Sequence, residues 1–285
     1  MDALVSPEWQ QWLRENVARG CSPDSMIKAM TEGGFGAEPA RRLVAHAFKG
    51  GMQPVAPATP VTQPVYRHGP PRLTLDGHVI ELEGRCIRVA MRMEQPRVLV
   101  FDDLLSAEEC EALIAASREQ LKRSTIVDPA SGEEAVITAR TSEGTSFQRE
   151  ANPLVARIEA RLAALMQAPV AHGEGIQILH YNQSGEYRPH YDYFPPQDPG
   201  SARHLAKGGQ RVATLIMYLN DVEAGGETIF PKIGLSVTPR RGAAVYFEYF
   251  NSHGEVDPAT LHGGAPVTRG EKWIATKWLR ERPYV

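Results

Sequence analysis

The sequence predicts a mostly β protein with supporting helices, preceded by a small N-terminal helical module. From about residue 170 to residue 282 the chain consists of strand-like segments separated by Gly, Pro, Asn and Asp clusters. Two helical patterns, at 107–121 and 153–166, come before these segments, and helices do not alternate strictly with strands. Because a doubly wound sheet requires that alternation, an antiparallel sandwich or barrel with helical support is expected.

Residues 1–51 have apolar side chains at helical spacing in three short pieces. The second piece begins at Ser22 and Pro23, an N-cap residue followed by a first-turn proline, and Gly50 and Gly51 close the pattern. A three-helix module is predicted, serving either as a self-packed cap or as a protein-docking domain. Its apolar positions are Trp9, Trp12, Leu13 and Val17, then Met26, Ile27 and Met30, then Ala40, Leu43, Val44, Ala47 and Phe48.

Residues 52–72 are predicted to be a linker between this module and the main domain. They contain six prolines in 21 positions and almost no periodicity, which is typical of an extended, semi-rigid segment. The main domain, residues 73–285, is expected to begin with strand-like segments at 73–82, 86–93 and 97–101.

The two helical patterns of the main domain have recognisable boundaries. Ser106 and Glu109 match a capping box at the start of the first, and the second covers residues 153–166. The turn-rich segment between them, residues 123–150, is predicted to close over a substrate as a lid.

Composition argues against several classes of protein. The chain has 285 residues, of which 42% are hydrophobic, and a net charge of -3, so a packed core is feasible and no overall field attracts nucleic acid or an anionic membrane. Cys21, Cys86 and Cys110 are far apart and form no C-x-x-C pattern, as expected for reduced thiols. There is no secretory signal pattern and no run of about 18 apolar residues. We expect a cytoplasmic location, with neither nucleic acid nor membrane as partner.

His190 and Asp192 are the first candidates for chemistry. In an extended strand, residues two apart point to the same face, so this imidazole and carboxylate can bind one ion. With one more histidine they would form the two-histidine, one-carboxylate set that leaves positions open on iron(II) for dioxygen. A His-x-Asp pair alone is weak evidence, because it occurs often by chance.

Three downstream histidines, His204, His253 and His262, are candidates for the third ligand, and spacing alone does not choose among them. His262 is favoured because Lys272 follows it and opens the strand-like segment 272–278.

Strand alternation places Lys272, Ile274, Thr276 and Trp278 on one side of that segment. A lysine facing inward among apolar and aromatic side chains needs an anionic partner, and a dicarboxylate would supply it. The alternative is an edge lysine that extends into solvent.

Four sequence blocks continue this pattern. They are Glu174-x-x-Gln177-x-x-x-Tyr181-x-x-x-Gly185-x-Tyr187-x-x-His190-x-Asp192; Arg211-Val212-Ala213-Thr214-Leu215-Ile216-Met217-Tyr218-Leu219-Asn220; Gly225-Gly226-Glu227-Thr228-Ile229-Phe230-Pro231; and Leu261-His262-x-Gly264-x-Pro266-Val267-x-x-Gly270-x-Lys272-Trp273. In this order they resemble the prolyl 4-hydroxylase family of iron(II)/2-oxoglutarate dioxygenases. The resemblance covers about residues 98–282 and does not cover residues 1–72.

The resemblance implies a double-stranded β-helix, or jelly-roll, core and a set of residue roles. Iron(II) would be held by His190, Asp192 and His262. The cosubstrate 2-oxoglutarate would be bound by Lys272, helped by the Tyr181 hydroxyl, and ascorbate would be a further cofactor. Glu227 and Thr228 would lie near the site, or act only as turn residues beside Gly225 and Gly226. The residues implied to bind substrate are Arg140, Tyr187, Arg211 and Trp278.

The implied activity is 4-hydroxylation of prolyl residues in a protein or peptide, with release of succinate and carbon dioxide. Arg280 stands where some peptide hydroxylases have a histidine, which leaves a free amino acid or small molecule as the alternative substrate. A non-catalytic jelly-roll binding module is a further alternative, against which the intact ligand set and Lys272 argue. The oligomeric state is not predicted from the sequence.

Overall fold

The computed structural model describes residues 7–18, 21–32, 35–49, 66–127, 133–135 and 140–284. The chain divides into two units, residues 1–65 and residues 66–285. Within the described ranges, no helix is long and apolar enough to cross a membrane.

The first unit contains the three predicted helices, α1 (Pro7–Ala18), α2 (Pro23–Glu32) and α3 (Ala37–Phe48). The backbone N–H of Ser25 donates to Ser22 Oγ at 3.3 Å, so Ser22 caps α2 as its sequence position suggested. The predicted closing residues Gly50 and Gly51 lie outside the described residues. The helices enclose a small apolar core of Leu13, Met26, Met30, Ala40 and Val44.

The segment predicted as a linker, residues 52–72, includes residues that belong to the second unit. Residues 52–65 lie outside the described residues, but the chain from Tyr66 onward belongs to the second unit. Arg67 forms an ion pair with Glu255 at 2.7 Å, and the backbone N–H of Arg72 donates to Glu248 at 2.9 Å. These carboxylates satisfy a backbone that proline leaves without a regular hydrogen-bonding pattern.

The second unit is built of strands with three α-helices. The helices are α4 (Ala107–Ser117), α5 (Pro153–Leu165) and α6 (Ser201–Ala206). The strands are β1 (Val79–Leu82), β2 (Arg85–Met93), β3 (Val98–Asp102), β4 (Lys122–Arg123), β5 (Ile126–Val127), β6 (Glu134–Ala135), β7 (Glu143–Phe147), β8 (Ile176–Tyr181), β9 (Tyr187–His190), β10 (Arg211–Tyr218), β11 (Ala224–Gly225), β12 (Thr228–Phe230), β13 (Leu235–Val237), β14 (Ala244–Glu248), β15 (His262–Gly264), β16 (Val267–Arg269) and β17 (Lys272–Arg280).

Two antiparallel sheets form the jelly-roll core. The large sheet has the order β1-β2-β3-β14-β10-β17-β8-β7-β4, and the small sheet has the order β13-β12-β15-β9. An apolar cluster joins them, with Val245 and Ile274 from the large sheet and Phe230 and Val237 from the small one. This arrangement confirms the predicted mostly β architecture with a jelly-roll core.

Helices α4 and α5 cover the other face of the large sheet. Leu113 of α4 and Leu162 of α5 share a second apolar cluster with Leu215 and Trp273 of the sheet. Because both faces of the central strands are covered, β10 and β14 carry apolar side chains at most positions.

The capping box predicted at α4 is present. The backbone N–H of Glu109 donates to Ser106 Oγ at 3.1 Å, and the backbone N–H of Ser106 donates to the Glu109 carboxylate at 3.0 Å. The same carboxylate accepts two hydrogen bonds from Arg161 of α5, at 2.7 and 2.9 Å, and so joins the two helices.

Two segments differ from their predicted form. Of the strand predicted at 73–82, only Val79–Leu82 is a strand, because the backbone N–H of Leu73 instead donates to the Glu248 side chain.

Within the predicted lid, residues 143–147 form β7 of the large sheet, so this part is a fixed wall. Gly144 lies there against β8, where an added Cβ would come within 2.8 Å of Leu179. Ser131 and Gly132 of that segment lie outside the described residues.

Candidate active site

The small sheet brings two of the candidate metal ligands together. His190, the last residue of β9, is the cross-strand partner of His262, the first residue of β15. Asp192 follows two residues after His190, with Oδ1 at 3.6 Å from His190 Nε2 and Oδ2 at 3.5 Å from His262 Nε2. One possible ligand atom from each of the three side chains lies within 4.8 Å of the others.

Backbone carbonyls fix the orientation of both imidazoles. His190 Nδ1 lies 3.0 Å from the carbonyl oxygen of Arg188, and His262 Nδ1 lies 3.0 Å from that of Thr260. Because a carbonyl only accepts, each Nδ1 carries the proton and each Nε2 presents a lone pair toward Asp192. This is the tautomer that a metal ligand requires.

The ionisation of the cluster suits a divalent cation. Burial alone would raise the pKa of Asp192, but contacts with His262 and His190 hold the pKa of this carboxyl well below its usual range. Burial lowers the pKa of His262 to about 4. A carboxylate oxygen and imidazole nitrogens are the donor set that iron(II) accepts.

The other two candidates for the third ligand, His204 and His253, are not part of this cluster. The ring of His204 stacks on Phe194 with 5.0 Å between centroids, and His253 is exposed in a turn. Neither belongs to the cluster that the described residues form.

Thr214 and Tyr249 support the cluster, and both were missed from the sequence. The Thr214 hydroxyl donates to Asp192 Oδ2 at 2.7 Å and lies 2.9 Å from the Tyr249 hydroxyl. Thr214 stands in one of the four sequence blocks, but nothing in its spacing to Asp192 indicates the contact.

Lys272 faces inward, with only 3% of its surface exposed. It is the cross-strand partner of Tyr181, and its Nζ lies 5.6 Å from the Tyr181 ring centroid and 5.9 Å from that of Tyr218. Burial lowers the pKa of Lys272 to about 8, against the opposing charge of Glu227. No carboxylate among the described residues forms an ion pair with Nζ, so this buried ammonium matches the carboxylate of a bound ligand.

A cavity of about 640 Å³ joins Lys272 to the histidine–aspartate cluster. The alternation predicted for β17 is confirmed, because Lys272, Ile274, Thr276 and Trp278 all line this cavity. At about 3.4 Å per residue, their span along the strand is roughly 20 Å. That length accommodates a small dicarboxylate at one end and a larger substrate at the other.

Arg211 and Trp278 form one wall of the cavity. The Arg211 guanidinium lies 3.9 Å from the centroid of the Trp278 ring and donates to both carboxylate oxygens of Glu174, at 2.7 and 2.9 Å. Burial alone would lower the pKa of Arg211, but the charge of Glu174 raises it above its usual range. Trp278 Nε1 is buried without a hydrogen-bond partner in the described parts of the chain.

Arg140 and Tyr187 form the opposite wall. The Tyr187 ring stacks on His190 with 3.6 Å between centroids, and the Arg140 guanidinium lies 4.8 Å from the Tyr187 ring. Arg140 donates to the Thr125 carbonyl at 2.7 Å and to Gln177 at 3.2 Å. Arg140 is therefore placed to fix the orientation of Tyr187 against the metal ligand.

Gly225, the last residue of β11, and Gly226 let the chain turn toward β12 beside Lys272. Gly225 has φ +74°, and a Cβ there would come within 2.2 Å of the Pro266 carbonyl oxygen. Thr228 lines the cavity and accepts a hydrogen bond from the Tyr218 hydroxyl at 2.8 Å. The negative charge of Glu227 favours the protonated form of Lys272.

Comparison with known proteins gives concordant results. Residues 176–280 match the model of the 2OG-Fe(II) oxygenase superfamily. Probable prolyl 4-hydroxylase 3 of Arabidopsis thaliana is 41% identical over 209 residues, which cover 67% of this chain and 71% of that protein. Prolyl 4-hydroxylase 1 of the same plant is 43% identical over 203 residues, covering 66% of this chain and 70% of that protein.

A solved structure shares the fold of the second unit. The viral collagen prolyl hydroxylase of Paramecium Bursaria Chlorella virus-1, solved as a complex with 2OG, superimposes with a TM-score of 0.51 and 28% identity. The match covers 64% of this chain and 95% of that one. This chain therefore belongs to the prolyl 4-hydroxylase family of iron(II)- and 2-oxoglutarate-dependent oxygenases.

Proposed function

We propose that this oxygenase hydroxylates prolyl residues at the 4-position in a protein or peptide, releasing succinate and carbon dioxide. The observation that carries the proposal is that one cavity connects the histidine–aspartate cluster to the buried ammonium of Lys272, which forms no ion pair with a carboxylate of the described residues. The names of the relatives, plant prolyl 4-hydroxylases and a viral collagen prolyl hydroxylase, support a prolyl substrate.

The residues present fit the iron and cosubstrate of the family. His190, Asp192 and His262 would hold iron(II), because two oriented imidazoles and one carboxylate are its preferred set and leave other positions open. Lys272 would pair with the distal carboxylate of 2-oxoglutarate, and Tyr181, its cross-strand partner, would lie next to that pair. Iron(II) with 2-oxoglutarate and dioxygen supplies the oxidising power for C–H hydroxylation, and oxidative decarboxylation yields succinate.

The protein's own contribution is to orient the prolyl ring and to exclude water. Tyr187 and Trp278 offer aromatic faces on opposite walls, and an extended proline-rich peptide docks well on aromatic surfaces. Arg211 has one guanidinium nitrogen, Nη1, whose contact within the described chain is a long one, 3.4 Å to the Asp192 carbonyl. That nitrogen is suited to donate to a peptide carbonyl, while Arg140 keeps Tyr187 in place.

Two further features complete the proposal. Ascorbate would act as a reductant that keeps the iron in the ferrous state. A cytoplasmic location accords with the three free thiols of Cys21, Cys86 and Cys110.

A turnover assay tests the proposal. Succinate formation with iron(II) and 2-oxoglutarate is compared for proline-containing peptides, free proline and no prime substrate, with mass spectrometry of the peptide for one added oxygen. We expect stimulation by peptide, hydroxylation at proline, and loss of both in His190→Ala. Stimulation by free proline alone would indicate the small-molecule alternative, and turnover that survives His190→Ala would refute the metal assignment.

A further inference from the structure

Arg280 is buried at the end of β17, with 2% of its surface exposed. Its guanidinium Nη1 donates to Glu174 Oε1 at 3.2 Å, and its Nη2 donates to the backbone carbonyls of His204 and Lys207. Arg280 does not itself line the cavity. The Arg280 guanidinium therefore binds neighbouring protein groups.

The two carbonyls are at the C-terminal end of α6. The last carbonyls of a helix have no partner within the helix, and an arginine that binds them fixes that end. The other end of α6 borders the active site, because Gly200 and Ser201 line the cavity. Arg280 thus holds a helix whose far end shapes the site.

Phe194 links Arg280 to the residues that follow Asp192. The Phe194 ring centroid lies 5.1 Å from the Arg280 guanidinium carbon and 4.9 Å from that of Arg211, and the ring stacks on His204. The backbone of Phe194 is held from both sides by Gln210, with hydrogen bonds of 2.8 and 2.7 Å. Phe194 also lines the cavity, so its position affects the space for a substrate.

Glu174 connects Arg280 to Arg211. Its Oε1 accepts from both Arg280 and Arg211, and the Arg211 guanidinium in turn stacks on Trp278. With two guanidiniums and one carboxylate, this cluster retains one positive charge. The orientation of Arg211, and not only its charge, depends on where Arg280 holds Glu174.

We propose that Arg280 is a positioning residue for the prime substrate: it fixes α6, Phe194 and the Glu174–Arg211 pair, and so sets the cavity wall against which the substrate lies. This role rests on the prolyl hydroxylation proposed above. Arg280 acts through its neighbours and does not touch the substrate.

The first test is Arg280→Lys, with Arg282→Lys as the matched control because Arg282 is exposed two residues later. Lysine keeps the charge, but one ammonium cannot reproduce the planar fork that joins a carboxylate and two carbonyls. We expect the KM for a proline peptide to rise about tenfold, as for loss of a charge-assisted hydrogen bond. The kcat, the KM for 2-oxoglutarate and the peptide-free succinate formation should stay within about twofold, and the control should match the wild type in every respect.

The second test is trypsin cleavage after Arg203 and Lys207, both exposed in or beside α6. Arg280→Lys should speed cleavage at these two sites and at no others, which reports on anchoring even if peptide turnover is absent. Arg280→Gln serves as a second variant if the lysine variant does not fold. An unchanged peptide KM, unchanged cleavage, or a parallel loss of kcat and peptide-free turnover would each overturn the proposal. A wild type that fails to respond to peptide would instead refute the proposed function.

Discussion

Thr214 connects the candidate metal site to the large sheet. Its hydroxyl donates to Asp192 Oδ2 at 2.7 Å, so it fixes which way the carboxylate faces the two imidazoles. A partner of this kind orients the ligand and tunes its basicity.

Thr214→Val keeps the shape of the side chain and removes this hydrogen bond. We predict that iron(II) affinity falls about 10- to 100-fold, as is typical when such a partner is lost. Anaerobic iron(II) titration measures the effect, and Thr214→Ser, which retains the hydroxyl, is the control. Equal affinity in the valine variant would show that Asp192 is oriented by other contacts.

We predict that Lys272 makes the binding of 2-oxoglutarate depend on pH. Because its pKa is lowered to about 8, the ammonium is present below that pH, and above it a neutral amine must take up a proton to pair with a carboxylate. We predict that the Kd for 2-oxoglutarate rises toward about tenfold per pH unit above the pKa and changes little just below it.

Anaerobic binding titrations in the presence of the metal, across this pH range, measure the predicted dependence. Lys272→Arg is the matched control, because a guanidinium stays protonated throughout. If the wild-type Kd is as flat with pH as that of the arginine variant, Lys272 does not hold the cosubstrate.

Side-chain chemistry explains which single residues could be predicted. Period-two spacing made His190 and Asp192 candidates and strand alternation made Lys272 an inward-facing one, and the resemblance to the dioxygenase family selected all three. Thr214 could not be found in this way, because its partner Asp192 is 22 residues away in the sequence, on a different element.

At the scale of elements, β17 and β10 show what alternation predicts and where it fails. In β17 the residues Lys272 to Trp278 alternate as expected and line the cavity. In β10 the register shifts between Arg211 and Ala213, which places Arg211 and Thr214 on the same side although their spacing is odd. A bulge has no reliable sequence signal, so the shared side of Arg211 and Thr214 could not be predicted from their spacing.

Glu109 shows how one residue joins two helices. Burial alone would raise its pKa, but Arg161 and the Ser106 backbone lower it from 4.5 to about 2. A carboxyl whose pKa is depressed on folding stabilises the protein above its unfolded pKa, and this stabilisation is lost as pH falls toward 2. The shift corresponds to about 3 kcal/mol at neutral pH.

We predict that Glu109→Gln lowers the free energy of unfolding by about 3 kcal/mol at pH 7, and that the difference from wild type shrinks as the pH falls below about 4. Urea unfolding at several pH values measures it. The exposed neighbour Glu108 provides the control, since Glu108→Gln should change stability much less than Glu109→Gln. A pH-independent difference would mean that the ion pair is not the cause.

For the whole molecule, the main division falls between residues 65 and 66. Every residue of the candidate site belongs to the second unit. We predict that residues 66–285 alone fold and form succinate with a short proline peptide within about twofold of the full chain.

A chain that begins at residue 73, the boundary predicted from the sequence, is the control for this truncation. It lacks the contacts of Arg67 with Glu255 and of Arg72 with Glu248 and should unfold at a lower temperature. If residues 66–285 are insoluble or inactive, the first unit is required for the fold or the site.

The sequence supported the jelly-roll class and the metal ligands because several motif blocks lie in register. The C-terminal boundary of the linker could not be predicted. Residues 66–72, which belong to the second unit, are as rich in proline as residues 52–65, which precede it. The three helices of the first unit close their own apolar core.

We infer that His190, Asp192 and His262 hold one iron(II) beside 2-oxoglutarate. The most direct test is anaerobic iron(II) binding to the wild type and to His262→Ala, each with 2-oxoglutarate present. We expect one iron per wild-type chain, and loss of binding in a His262→Ala variant that remains folded by circular dichroism. Equally tight, stoichiometric binding by folded His262→Ala would contradict it.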